Sequence, residues 1–240
     1  MTPQEPRRIT VICWARIFDM LTQTQEKLIR SLHTRKGREQ EGLCLVEGEK
    51  LVREYRQHLL WTFTPKDTKK FSQLVTTETP QSIAGVARLP MWSLNDIQKS
   101  PTLLVLDHIQ DPGNLGAIFR LALGFSASLL LVECTDPGNP KVVRGSAGAI
   151  FHVPWSIVPR QDLKNFLDDQ PSVWRLEKLP QSLGVESIRK PAKACILVGS
   201  EGRGIQTPYE APSLTIPHAS VLESLNVSTA VAILLYARGK

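Results

Sequence analysis

Cysteine is scarce and scattered. The four cysteines among 240 residues, Cys13, Cys44, Cys134 and Cys195, form no CxxC pair and no Cys/His spacing, so no metal site is expected. Thiols this far apart suit a reducing compartment better than a disulfide framework, and a cytoplasmic protein is expected. Long apolar runs are missing as well. None approaches the roughly 18 residues needed to span a bilayer, and Ile9 to Cys13 is too short for a signal-peptide core, so no membrane partner is expected. Neither GxGxxG nor GxxxxGK[ST] occurs, which removes the dinucleotide fingerprint and the P-loop. No internal repeat or low-complexity tract is visible.

What is present is the composition of a globular protein, with 42% hydrophobic and 22% charged residues. The net charge of +6 favours an anionic partner, of which nucleic acid is the commonest, although the same charge would also serve solubility. The segment KLIRSLHTRKGR carries five basic residues and no acidic one: Lys27, Arg30, Arg35, Lys36 and Arg38. A phosphate-binding surface would start there, and a solvated helix face would read the same way.

The chain divides into three parts. Residues 1–19 share little pattern with the rest of the chain, and Met20 opens a clean sequence; the extension is expected to be dispensable, with Met20 as an alternative start. Residues 20–98 form a small α/β unit: a helix over Gln25 to Leu32, then LCLVEG as strand and turn, EKLVREYRQH as helix, and LLWTFTP and SIAGVARL as strands. Glu47 and Gly48 fall in its turn and read as structural. A linker, LPMWSLNDIQKSP, leads to residues 99–240, whose strands LLVLDHI, SLLLVE, HVPWSIV, VWRLEK, ACILVGS and SLTIP alternate with helices. Their continuous apolar character fits a sheet covered on both faces.

Three segments in this second unit carry chemistry. In LLVLDHIQDPGNLGAIFRLALGF a strand empties into a DPGN corner and then a helix, in which Leu115, Ile118, Phe119, Ala122 and Leu123 share one face and Arg120 lies near its edge. In GSEGRGI, Gly199, Gly202 and Gly204 let a backbone approach a ligand or take positive φ, which a turn alone would also explain. In SLTIPHASVLESLNVSTAVAILLYARGK the last helix is apolar around most of its circumference, and Ser224 and Asn226 stand out against it. Ser224 could be a helix cap; Asn226 falls within the first turn.

DHIQDPGNLGAIFR, LVGSEGRGI and IPHASVLESLNVSTAVAILLY, in that order and each leaving a strand, resemble the signature motifs of the SpoU family of RNA ribose 2′-O-methyltransferases, within the knotted SPOUT superfamily. KVVRGSAGAIFHVPW is similar to the segment between the first two motifs, and the N-terminal unit is similar to the family's RNA substrate-binding domain. The resemblance implies an α/β protein whose small N-terminal domain precedes a SPOUT domain with a C-terminal trefoil knot. Its cofactor would be S-adenosylmethionine. Backbone groups at Gly199, Ile216 and Leu225, with Gly202 and Gly204, would form the cofactor site. Arg120 would be the catalytic arginine, with Asn114, Glu201, Ser224 and Asn226 around it. A guanidinium keeps its proton, so Arg120 would hold an RNA phosphate beside the 2′-hydroxyl.

A homodimer paired through the knotted domain is implied, with ribosomal RNA as substrate, 23S rRNA favoured, and no DNA partner. Transfer RNA is the alternative, as is an inactive RNA-binding member, against which the five retained polar residues argue. His218 departs from the family pattern, which has Met more often there, and reads as a local structural histidine.

Overall fold

A computed structural model of the chain describes residues 20–188, 192–219 and 221–239. The expectation for residues 1–19 lies outside the described residues.

The small unit contains α1 (Gln23–Ser31), α2 (Arg35–Glu41), β1 (Leu43–Glu47), α3 (Glu49–Glu54), β2 (Leu59–Phe63), α4 (Phe71–Leu74) and β3 (Ala84–Arg88). Its three strands pair antiparallel in the order β1-β3-β2. The alternation of LCLVE has a physical reading, because a strand sends successive side chains to opposite faces. Leu43 and Leu45 enter a core with Ile29, Leu32, Phe63 and Leu74, whereas Cys44 and Val46 turn outward and are buried against the large unit. Both faces of this sheet are covered.

The basic run does not form one solvated face. Thr22 opens α1 with a capping box to Gln25, and the chain then breaks so that Thr34 can cap α2 by accepting from the Gly37 N–H at 3.1 Å. Gly42 closes α2 at φ +64°, a left-handed turn that suits glycine.

The large unit comprises α5 (Leu94–Gln98), β4 (Thr102–Asp107), α6 (Pro112–Gly124), β5 (Ala127–Val132), α7 (Pro140–Gly145), β6 (Trp155–Ile157) and α8 (Arg160–Asp168). The chain continues through β7 (Val173–Leu176), β8 (Leu183–Gly184), β9 (Ala194–Gly199), β10 (Ser213–Thr215) and α9 (Val227–Gly239). Among the described residues these strands make a seven-stranded parallel sheet, β6-β5-β4-β9-β7-β10-β8. All residues of β4 and β5 are buried, in keeping with apolar runs interrupted only by Thr102, Asp107 and Ser128. One face packs against α6, α7 and α9, and the other against α5 and α8. The stretch expected to be a linker contains α5: Ser93 caps it, Ile97 is buried in the second of these cores, and the Ile97 carbonyl accepts from Ser128 Oγ at 2.7 Å.

Helices α6 and α7 meet at two glycines. A Cβ on Gly116 would lie 2.8 Å from the Gly145 backbone, while a Cβ on Gly145 would stand 3.4 Å from Gly116. The far end of α9 is held by Arg238, buried, whose guanidinium donates to the Ile188, Ala192 and Pro101 carbonyls and to Thr102 Oγ1 at 2.9–3.2 Å. Burial of the guanidinium lowers its pKa.

Gly116→Ala gains about 1 kcal/mol of helix propensity but must push two helices apart, and overpacking costs about 1–3 kcal/mol. Denaturant unfolding is expected to show net destabilisation for Gly116→Ala and a smaller effect for Gly145→Ala; equal effects would contradict the close approach.

Candidate active site

The sheet order reverses at β4, whose neighbours are β5 on one side and β9 on the other. In an open parallel sheet such a reversal leaves a crevice at the C-terminal ends of the strands. Asp107 ends β4 at this point and Gly199 ends β9 beside it.

Asp107 is fully buried and fully occupied. Its carboxylate accepts from Arg160 Nη2 at 2.7 Å, from the N–H groups of Gln206 and Thr207 at 2.8 and 2.7 Å, and from Thr207 Oγ1 at 2.8 Å. Arg160 also pairs with Glu133, at 2.7 Å. Burial alone would push the Asp107 carboxyl up; the bonds from Arg160 and Thr207 outweigh it and hold the group below its ordinary value. The loop after β9 is thereby latched to the end of β4. The signal for Asp107 is present in LLVLD, where an acid closes a wholly buried strand, but its partners lie up to 100 residues away.

The latched loop presents Glu201. One oxygen, Oε1, accepts from Asn114 Nδ2 at 3.1 Å, Asn226 Nδ2 at 2.7 Å and the Val227 N–H at 3.0 Å, and Asn226 Nδ2 also reaches Asn114 Oδ1 at 3.0 Å. Asn114 is placed by the DPGN corner: Asp111 caps α6 by accepting from the Asn114 N–H at 2.7 Å, and Pro112 fills the first helical position. Asn226 lies just before α9 and not within its first turn. Its Oδ1 accepts from the Ser228 N–H at 3.0 Å and the Thr229 N–H at 3.3 Å, so Asn226, and not Ser224, caps the helix. Glu201 thus faces the positive end of α9.

The other expected site residues fall in two groups. Arg120 is exposed and has no partner among the described residues. It stands on α6 about 9 Å beyond Asn114 along the axis, roughly 120° around it and one turn after Gly116. Ser224 is exposed and Leu225 half-buried. Gly199 serves the loop itself, since a Cβ there would strike Gly204, whereas Cβ positions at Gly202 and Gly204 open onto free space. The Ile216 carbonyl accepts from His218 Nδ1 at 2.7 Å, and His218 Nε2 is buried with no partner among the described residues. His218 is therefore only half satisfied locally.

In the basic run, Lys27 and Lys36 are exposed, Arg30 donates to Gln73 at 3.3 Å and Arg35 pairs with Glu39 at 2.7 Å. Arg38 departs from expectation. It is only 5% exposed and pairs with Asp136 at 2.5 Å, so it is closed to RNA.

Residues 101–236 match the SpoU rRNA Methylase family, and residues 24–64 match the MRM3-like substrate binding domain. The chain belongs to the SpoU rRNA methylase family. It is 32% identical to the 23S rRNA (guanosine(2553)-2′-O)-methyltransferase RlmP of Bacillus subtilis over 86% of this chain and 92% of that protein. It is 30% identical to the 23S rRNA (adenosine(1067)-2′-O)-methyltransferase of Streptomyces azureus over 72% of this chain and 67% of that one. Among solved structures, an AdoMet-bound rRNA methyltransferase from Sinorhizobium meliloti superposes with a TM-score of 0.79 at 27% identity, covering 92% of this chain and 95% of that one.

As a SpoU member the protein is an RNA methyltransferase with S-adenosylmethionine as cofactor. The second- and third-motif loops fit that group, offering open space at Gly202 and Gly204 and an orphaned acceptor at His218 Nε2.

The latch gives a pH test. A carboxyl with a depressed folded pKa contributes stability that is present above its unfolded value and lost as pH falls through the folded one. Asp107→Asn is expected to lower stability by a constant amount well above the ordinary 3.8, and the gap to wild type should shrink as pH falls below it. A gap independent of pH in denaturant unfolding would contradict the charge of Asp107 as its source.

Proposed function

We propose that this SpoU member methylates the 2′-hydroxyl of a ribose in ribosomal RNA of the large subunit. One observation carries the reading: the three motif segments meet at Asn114, Glu201 and Asn226, while Arg120 on the same helix as Asn114 is left without a partner among the described residues. The two relatives named for 23S rRNA act on different nucleosides, a guanosine and an adenosine, and share the 2′-oxygen as acceptor, which supports the ribose as the target.

The cofactor supplies a methyl group on a positive sulfonium. The protein's tasks are to hold a 2′-hydroxyl in line with it and to ease loss of the hydroxyl proton. Positioning alone is worth roughly 7–11 kcal/mol. Arg120, with no partner among the described residues, grips the phosphate next to the target ribose with paired hydrogen bonds from its guanidinium, and the held phosphate orients the hydroxyl. Glu201 keeps Asn114 and Asn226 in fixed rotamers at the crevice. Ser224, exposed beside them, is free to meet the ribose.

The same proposal includes a small and a large domain, with the division expected at residues 98 and 99 drawn ahead of α5 because Ile97 is buried in the large unit, together with a trefoil knot, a homodimer and a cytoplasmic setting. Insertion of β10 between β7 and β8 and the return of α9 onto α6 support a threaded C-terminus. Exposed Ile233 and Tyr236 on α9 and Leu123 on α6 support a second copy as cover for an otherwise apolar helix pair. Burial pushes the Cys44 and Cys195 thiols to about 12 and Cys134 to about 11, in keeping with reduced structural cysteines. No described helix is long and apolar enough to cross a membrane. Lys27, Arg30, Arg35 and Lys36 remain the proposed RNA contacts of the small domain.

Arg120→Ala is expected to bind S-adenosylmethionine as wild type does while methyl transfer to RNA falls by at least about 10²-fold, the loss typical of one transition-state donor. Calorimetry and single-turnover transfer measure the two separately. Normal turnover in the variant would remove Arg120 from the mechanism.

A further inference from the structure

The small domain does not hang from its linker. Cys44, Val46 and Ala87 of its sheet share one continuous core with Val142, Val143 and Phe151 of the large unit. Two ion pairs cross the same boundary. Glu47, 4% exposed, accepts from Arg144 Nη1 at 2.5 Å and from the Thr76 N–H at 2.6 Å, and Arg38 pairs with Asp136. Tyr55 lies against Gly148 so closely that a Cβ there would come within 2.0 Å of the ring, and His58 stacks on Phe151 with centroids 5.1 Å apart.

Every one of these partners on the large unit comes from residues 136–152. That segment includes α7, whose Gly145 packs against Gly116 of α6, and α6 carries Asn114 and Arg120. A rigid path therefore joins the small domain to the arginine that grips the target phosphate.

Burying two ion pairs is a poor route to stability, because desolvation consumes much of the attraction; apolar residues of equal volume would serve as well. Directional bonds do what apolar contact cannot: they fix register between packed surfaces. Glu47 is bonded from two directions, by Arg144 on the large unit and by Thr76 on its own.

We propose that the Glu47–Arg144 pair is specificity-determining, holding the small domain at a fixed distance and angle from Arg120 so that geometry selects which ribose is methylated. The proposal rests on the RNA-methylating function above. The small domain's RNA contact and the crevice act as the two ends of a ruler, and Glu47, Thr76 and Arg144 are positioning residues that do not touch the ribose.

The test uses the full chain carrying Glu47→Gln with Arg144→Met, which removes both charges and nearly keeps the volume. Binding of S-adenosylmethionine and of ribosomal RNA is measured by calorimetry and filter retention, and methylated nucleotides are mapped after single turnover. Both affinities are expected to stay within about 2-fold of wild type, while methylation spreads to neighbouring nucleotides or kcat falls at least about 10-fold at unchanged KM for RNA. Arg144→Lys, which keeps the charge but not the fork, should restore part of the selectivity. Methylation confined to the wild-type nucleotide at wild-type kcat in the double variant would overturn the proposal. Should the double variant fail to fold, Arg144→Gln, which breaks the pair from its partly exposed side, carries the same expectation, and wild-type selectivity there overturns the proposal equally. Absence of methyl transfer by wild type would instead sink the functional reading, which the wild-type map reports separately.

Discussion

One carboxylate oxygen gathers the site. Glu201 Oε1 takes hydrogen bonds from two asparagine side chains and a backbone N–H, the farthest of them 87 residues away in the chain. For that oxygen to be reached, β9 must lie beside β4, the loop after β9 must fold back, and α9 must begin where α6 begins. Asp107 enforces the second condition, since a loop with three glycines in six residues has no packing of its own to hold it.

The fold is largely legible in the sequence because its central strands are mostly apolar runs and several of its helices are opened by a recognisable cap. LLVLD, SLLLV and ACILVG lie in the structure where their composition places them, and the small sheet's alternation of Leu and Cys or Val in LCLV reflects two different covers. What local pattern does not reveal is partnership over distance. The basic run reads as a single electrostatic footprint, yet Arg38 within it turns inward to an aspartate 98 residues away, and a second helix is hidden by the same charges. Helix α5 is hard to see because five residues between prolines read as linker until a capping serine is recognised.

The candidate site divides along the same line. Asn114, Glu201 and Asn226 are marked by motif resemblance, and the structure brings them into contact. Asp107 and Arg160 are not, although an acid closing a buried strand is a readable signal. Glu47 reads as a turn residue because its partner arginine sits in the other domain. Residues that position a site tend to be bonded far along the chain, and sequence periodicity carries no trace of that.

Methyl transfer to the ribose oxygen is the centre of the account, and alkali reads it directly. Cleavage of RNA by alkali requires a free 2′-hydroxyl, so RNA labelled from S-adenosylmethionine by the purified protein should yield its label in alkali-resistant dinucleotides. Label recovered in mononucleotides as a methylated base would contradict ribose methylation, and with it the roles given to Arg120 and the phosphate it holds.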